Sequence, residues 1–87
     1  MSEGLRIDKW LFHARFVRHR ELAAALVGKR RVRLNDRLVE KPHSLVRPGD
    51  VLTLALPGEV VVARVVALGE RRGPATEART LYERLDD

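Results

Sequence analysis

The sequence predicts an α+β domain: a two-helix hairpin packed on a small antiparallel β-sheet, closed by a C-terminal helix. Three observations predict it. Apolar residues recur at helical spacing through Ile7, Trp10, Leu11, Ala14 and Val17. From Val32 the period changes to alternation, and two apolar, partly β-branched runs, 51–56 and 59–68, flank the turn dipeptide Pro57-Gly58. Helical spacing then returns at Ala78, Leu81, Tyr82 and Leu85.

The chain of 87 residues is expected to form one domain, 1–87, with a single modest core. Residues 1–5 read as a frayed lead-in, and the first helix is expected over residues 6–17. Phe12 and Phe16 lie roughly opposite its apolar face, near Lys9. They either pack beneath another segment of the chain or stack nucleic-acid bases. Packing is the favoured expectation, because a C-terminal helix is at hand to cover them. Arg18-His19-Arg20-Glu21 interrupts the period, and Leu22 to Val27 resumes it with three consecutive alanines, so a second helix is expected over 20–28 with Gly28 as its stop. Arg18, His19 and Arg20 crowd the start of that helix. Free N–H groups and the helix dipole there already favour an anion.

The stretch from Gly28 to Pro42 carries six cationic side chains (Lys29, Arg30, Arg31, Arg33, Arg37 and Lys41) against two acids. Val32, Leu34 and Leu38 alternate with charged residues, and Asn35-Asp36 has the chemistry of a tight turn. A β-ribbon with cations on one edge and core on its other face follows, with a short strand near 37–39. Pro48-Gly49 and Pro57-Gly58 bracket a strand at 51–56, whose hairpin partner is the run 59–68. Pro74 suits the first turn of a final helix over 74–85, the expected cover for both phenylalanines. The element order is α-α-β-β-β-α.

The net charge of +5 is unevenly placed: residues 1–47 hold 12 Lys and Arg against 5 Asp and Glu, and residues 48–87 hold 5 against 7. A basic half beside a weakly acidic one implies a face that meets a polyanion. There is no cysteine, so disulfides and thiolate metal sites are excluded. No apolar run approaches the ~20 residues of a membrane span, and no signal-peptide h-region is present, so a cytoplasmic protein without membrane contact is expected. The histidines at 13, 19 and 43 lack metal-ligand spacing, and His13 is expected to be packed or solvated. Ser2 and Ser44, the only serines, have no base beside them, and no phosphate-loop or hydrolase motif occurs. Neither an enzyme nor a cofactor is expected.

Taken together, Arg6-Ile7-Asp8-Lys9-Trp10-Leu11, Ala14-Arg15-Phe16, Arg20 with Leu22-Ala23, Gly28-Lys29 to Val32-Arg33-Leu34-Asn35, and Pro48-Gly49-Asp50-Val51-Leu52 resemble the S-four RNA-binding domain family, named for small-subunit ribosomal protein four. This resemblance spans about residues 5–56, leaving 57–87 as a strand and C-terminal helix extension. The tail, Leu68-Gly69-Glu70-Arg71-Arg72-Gly73-Pro74-Ala75 with Glu77-Ala78 and Leu81-Tyr82-Glu83, is similar to the stand-alone, ribosome-associated heat-shock branch of the family.

The resemblance implies an alpha-L motif, in which the helix hairpin and the following strand grip structured RNA. It implies ribosomal RNA and the large subunit with peptidyl-tRNA as partners, a role in subunit rescue or recycling under heat stress, and no catalysis. Carried position by position, it implies RNA contacts from Arg6, Lys9, Arg15, Arg18, Arg20, Lys29 and Arg33, to which the basic ribbon adds Arg30, Arg31 and Lys41. Arg18, Lys29 and Arg33 are expected on the same side as Arg20. Asp8 is implied as an internal partner for Arg15 or a neighbouring arginine, and Asn35, counted with the RNA-binding set, as the holder of the ribbon turn. Two positions depart from the pattern: His19 stands where a Ser or Thr cap is usual, and Asp36 where Gly usually follows Asn.

Two rivals differ in class. A helix-turn-helix DNA regulator needs base-reading side chains on its second helix and a dimer. Leu22 to Val27 is apolar and alanine-rich, so DNA binding is expected to be non-specific. A protein-interaction domain would use its cations for solubility alone. The chain is expected to be a monomer.

Overall fold

The computed structural model describes residues 4–85. The chain runs β1 (Leu5–Arg6), α1 (Ile7–His13), α2 (Arg20–Gly28), β2 (Val32–Leu34), β3 (Arg37–Leu38), β4 (Leu45–Val46), β5 (Val51–Leu56), β6 (Glu59–Val65), α3 (Ala75–Ala78), a 3₁₀ turn (Arg79–Leu81) and β7 (Tyr82–Arg84). Five strands make one antiparallel sheet in the order β3-β2-β5-β6-β7, and β1 pairs with β4 in a separate ribbon. The α+β class with its helix hairpin is as the sequence predicts.

The core lies between the helix pair and one face of the sheet. Ile7, Trp10 and Leu11 from α1 meet Ala23 and Val27 from α2, and Leu52, Leu54, Val61, Ala63 and Val65 from the sheet, all 2% exposed or less. The alternation along β6, with odd positions from Val61 inward and Val60 and Arg64 exposed, is that of a strand covered on one side. Trp10 is fully buried, and its Nε1 donates to the Ala67 carbonyl at 2.9 Å. The buried His13 holds Nδ1 3.3 Å from the Leu68 carbonyl, as a donor when the proton sits on Nδ1. These two contacts explain why β6 ends at Val65 rather than running on to 68. The segment leaves the sheet to put its carbonyls over α1.

Four further boundaries differ from the sequence expectation. First, α1 stops at His13, not at 17. Arg15 takes φ 66, its N–H bonds to the Phe12 carbonyl, and the Phe16 N–H bonds to the Leu11 carbonyl. That pair of bonds is a Schellman closure. Second, Gly28 is the last helical residue of α2, and the stop is Arg30 at φ 60. The Arg30 N–H bonds to Val27 and the Arg31 N–H to Leu26, the same closure again. Both helices therefore end on a left-handed arginine instead of a glycine.

Third, Leu5 is not frayed but pairs with Val46, while residues 1–3 of the expected lead-in lie outside the described residues. The same ribbon serves α1, because the Ile7 N–H donates to Ser44 O at 2.7 Å and the Asp8 N–H to Pro42 O at 3.2 Å. Backbone carbonyls thus satisfy first-turn donors that would otherwise need a side-chain cap.

Fourth, the final helix covers only Ala75–Ala78, and Tyr82–Arg84 form a strand on the free edge of β6. Edge pairing gives these residues backbone partners that a continuing helix would forgo. Tyr82 still meets Phe16, with ring centroids 4.6 Å apart, so Phe16 is covered as expected but by a strand. Phe12 is covered by the guanidinium of Arg72, 5.1 Å from its ring centroid.

Candidate nucleic-acid interface

The basic half of the chain is presented in three groups. The first surrounds Asp8, whose side chain is 7% exposed at the start of α1. Its carboxylate accepts Arg6 Nε at 3.1 Å on Oδ1 and Arg6 Nη2 at 2.8 Å on Oδ2. Arg20, the first residue of α2, brings Nη2 to 3.6 Å from the same Oδ2. The arginines, not Asp8, face solvent: their side chains are 47% and 42% exposed. One buried carboxylate therefore fixes two guanidinium groups from different elements. Asp8 takes these two neighbours and not Arg15, whose Nε donates to the Gly73 carbonyl at 2.6 Å.

The helix start beside Arg20 has the expected character. His19 is extended at φ −140 and ψ 149, and no side chain caps α2. The imidazole lines a shallow groove with Asp8, Phe12, Arg20 and Glu21. The Nε of Arg20 is buried without an acceptor.

The second group lies on the other side of α2. Arg18, Lys29 and Arg31 line one groove with Phe16, Leu22, Leu26 and Leu56. Arg18 and Lys29 thus share a groove with each other, whereas Arg20 lines a separate one, so the single row expected from the sequence is divided by the helix.

The third group is the ribbon. Asn35 and Asp36 take φ 50 and 69, the two positive values of a tight hairpin turn between β2 and β3. The Asn35 side chain is spent internally: Nδ2 donates to Asp50 Oδ1 at 3.1 Å, and Oδ1 accepts the Val51 N–H at 2.9 Å. Asn35 thereby staples the turn to β5. Arg33 is exposed on β2 and reaches the Asp36 carbonyl at 3.4 Å. Lys9, Arg30 and Lys41 are exposed at separate places, and Lys41 shares a groove with Arg37, a cation the site expectation left out.

The two halves differ in how their charges are matched. Among the described residues, Lys9, Arg18, Lys29, Arg30, Arg31, Arg33 and Lys41 form no ion pair. In the second half Arg64 pairs with Glu83, Arg71 with Glu77 and Arg84 with Glu59. These seven cations are thus charge without an ion-pair partner, the arrangement that a phosphate backbone neutralises on binding. The described residues hold no group of His and acidic side chains placed to bind a metal, and no helix long and apolar enough to cross a membrane.

The chain is similar to several known proteins. Heat shock protein 15 of Escherichia coli is 38% identical over 79 residues, which are 91% of this chain and 59% of that protein. Its homolog in Haemophilus influenzae is 33% identical over 82 residues, 94% of this chain and 62% of the relative. The chain thus spans about three fifths of the length of these relatives. The RQC P-site tRNA stabilizing factor of Listeria innocua is 31% identical over 91 aligned positions, covering 100% of this chain and 98% of that protein. The solved structure of Vibrio cholerae Heat Shock Protein 15, described as trimeric, superposes with a TM-score of 0.87 at 33% identity, covering 94% of this chain and 82% of that one. The S4 domain family matches residues 5–52, from β1 into β5 and including both helices and the basic ribbon. With that match and a shared fold along nearly its whole length, the chain belongs to the S4 RNA-binding domain family.

Proposed function

We propose that this chain binds structured ribosomal RNA on the large ribosomal subunit and acts in the rescue or recycling of stalled subunits under heat stress. The observation that carries the reading is the set of exposed, internally unmatched cations on the helix hairpin and ribbon. Cations fixed by backbone turns and by Asp8 suit recognition of a folded backbone, where shape matters more than base sequence. The names of the relatives support the ribosomal setting: one is a heat shock protein and another a P-site tRNA stabilizing factor. Peptidyl-tRNA on the large subunit is accordingly a proposed neighbour.

In this reading the protein is a cytoplasmic binder, without a catalytic step or a cofactor. It is proposed to act as a monomer, in contrast with the trimer described for the Vibrio cholerae relative. Sedimentation velocity of the free protein checks that point. The DNA-regulator alternative finds no support in α2, whose exposed residues Glu21, Leu22, Ala25 and Gly28 offer no amide to read a base edge.

The test is co-sedimentation with separated ribosomal subunits in sucrose gradients. The protein should travel with large subunits and stay at the top with small ones. Equal partition between the two, or failure to travel with either, overturns the assignment.

A further inference from the structure

The groove between α2 and the β5–β6 turn combines an apolar floor with a cationic rim. Its floor is built from Phe16, Leu22, Leu26 and Leu56. Leu22 is 45% exposed, which leaves its side chain open to a ligand in the groove. Arg18, Lys29 and Arg31 form the rim, and no acidic residue lines the groove. Among the described residues none of these three cations makes an ion pair. The groove has a volume of about 510 Å3, within the ~300–1,000 Å3 of small-ligand sites.

Several features narrow the occupant. The rim calls for negative charge at the edge of the ligand, and the floor calls for an apolar face at its centre. Apart from the three cations, no lining side chain offers a hydrogen bond, so the ligand's central portion is held by contact rather than by polar readout. Phe16 gives that floor an aromatic surface, and its ring packs against Tyr82 with centroids 4.6 Å apart. A nucleotide has this pattern: a flat π-face carried on a charged backbone. Basic grooves with an aromatic platform bind unstacked bases with little sequence preference.

We propose that this groove receives one unstacked base of the bound RNA, with its flanking phosphates on Arg18, Lys29 and Arg31. The inference rests on the reading that the chain binds RNA, and it adds a base-accepting site to what is otherwise backbone recognition. It also gives the second group of cations a purpose distinct from the Arg6–Arg20 pair. An amphipathic acidic peptide is the competing occupant.

The experiment uses two probes of equal charge, single-stranded octa-adenylate RNA and an abasic ribose-phosphate octamer. They are titrated against the parent protein and Leu22→Gln at one salt concentration. The parent should prefer the base-bearing probe by about five- to a hundredfold, the range of one stacked base. Leu22→Gln should lose most of that preference and keep its affinity for the abasic probe. Methyl resonances of Leu22, Leu26 and Leu56 in the parent should shift with octa-adenylate and not with the abasic probe, a readout that needs no variant. Equal, salt-sensitive affinity for both probes without methyl shifts overturns the base site and leaves RNA binding standing. Failure to bind either probe or a structured ribosomal RNA fragment overturns the RNA reading, and the base site with it. Methyl shifts produced only by a Leu/Glu amphipathic peptide assign the groove to a protein partner and also overturn the proposal.

Discussion

Asp8 and Arg6 are joined by two parallel hydrogen bonds, at 3.1 and 2.8 Å, with the carboxylate buried and the guanidinium half in solvent. This fork geometry fixes the plane of Arg6, and the same carboxylate draws Arg20 from the next helix. An acid inside a phosphate-binding face lowers its positive charge. Its value there is orientation, which yields a prediction of opposite sign to simple charge counting. Asp8→Asn makes the protein more positive, yet RNA affinity should fall, by about 0.5–1.5 kcal/mol, because Arg6 loses its fork. Stability should drop by no more than about 1 kcal/mol, since both arginines are left facing water. Titration against a ribosomal RNA fragment, beside melting curves, checks both; tighter binding by Asp8→Asn would mean that net charge dominates.

Binding should be strongly salt-dependent. If about 5–8 phosphates are neutralised, affinity falls by about two to four orders of magnitude between ~50 and ~200 mM salt. The slope of log affinity against log salt measures the number directly, and a flat line contradicts an electrostatic interface.

Arg20 should matter more than Arg79. Arg20 sits at the uncapped start of α2 beside Arg6, and its side chain is 42% exposed, open to an incoming phosphate. Arg79 begins the 3₁₀ turn after Glu77 in the weakly acidic half. Arg20→Ala should weaken RNA binding by about 1–3 kcal/mol, whereas Arg79→Ala stays within about 0.5 kcal/mol of the parent. Equal losses in parallel titrations would point to diffuse charge instead of a formed site.

Arg30→Gly should separate stability from binding. Arg30 holds φ 60 at the end of α2, a conformation glycine adopts without steric cost. The substitution should leave stability unchanged or raise it by about 0.5–1 kcal/mol, offset in part by the entropy glycine adds to the unfolded chain. RNA affinity should still decline, because an exposed cation is removed. Urea unfolding and RNA titration read the two effects independently, and a marked loss of stability would refute the argument.

Trp10→Ala should cost about 3–5 kcal/mol through the cavity it leaves and the lost bond to Ala67. Trp10 is fully buried, so RNA binding should be lost only to the extent that the protein unfolds. A variant that melts like the parent but no longer binds would place the indole at the interface.

The sequence by itself determined what depends on neighbours along the chain. The apolar period placed Ile7, Trp10 and Leu11 in the core, and the turn residues Asn35-Asp36 and Pro57-Gly58, with positive φ at Asn35, Asp36 and Gly58, set both hairpins. The run from Arg20 to Gly28 was legible because alanine and leucine favour helix locally. Tertiary structure decided what depends on partners far away. Tyr82 to Arg84 carry a helical period but take the strand form because the edge of β6 offers them backbone bonds. Leu5 becomes a strand only because Val46 lies beside it. Asp8 could not be matched to Arg20 until the two helix starts were brought together. Nor did any local signal mark the groove shared by Arg18, Arg31 and Leu56, which belong to separate elements. Periodicity encodes which side of a segment is apolar; the partner that meets that side is fixed only when the whole chain has closed.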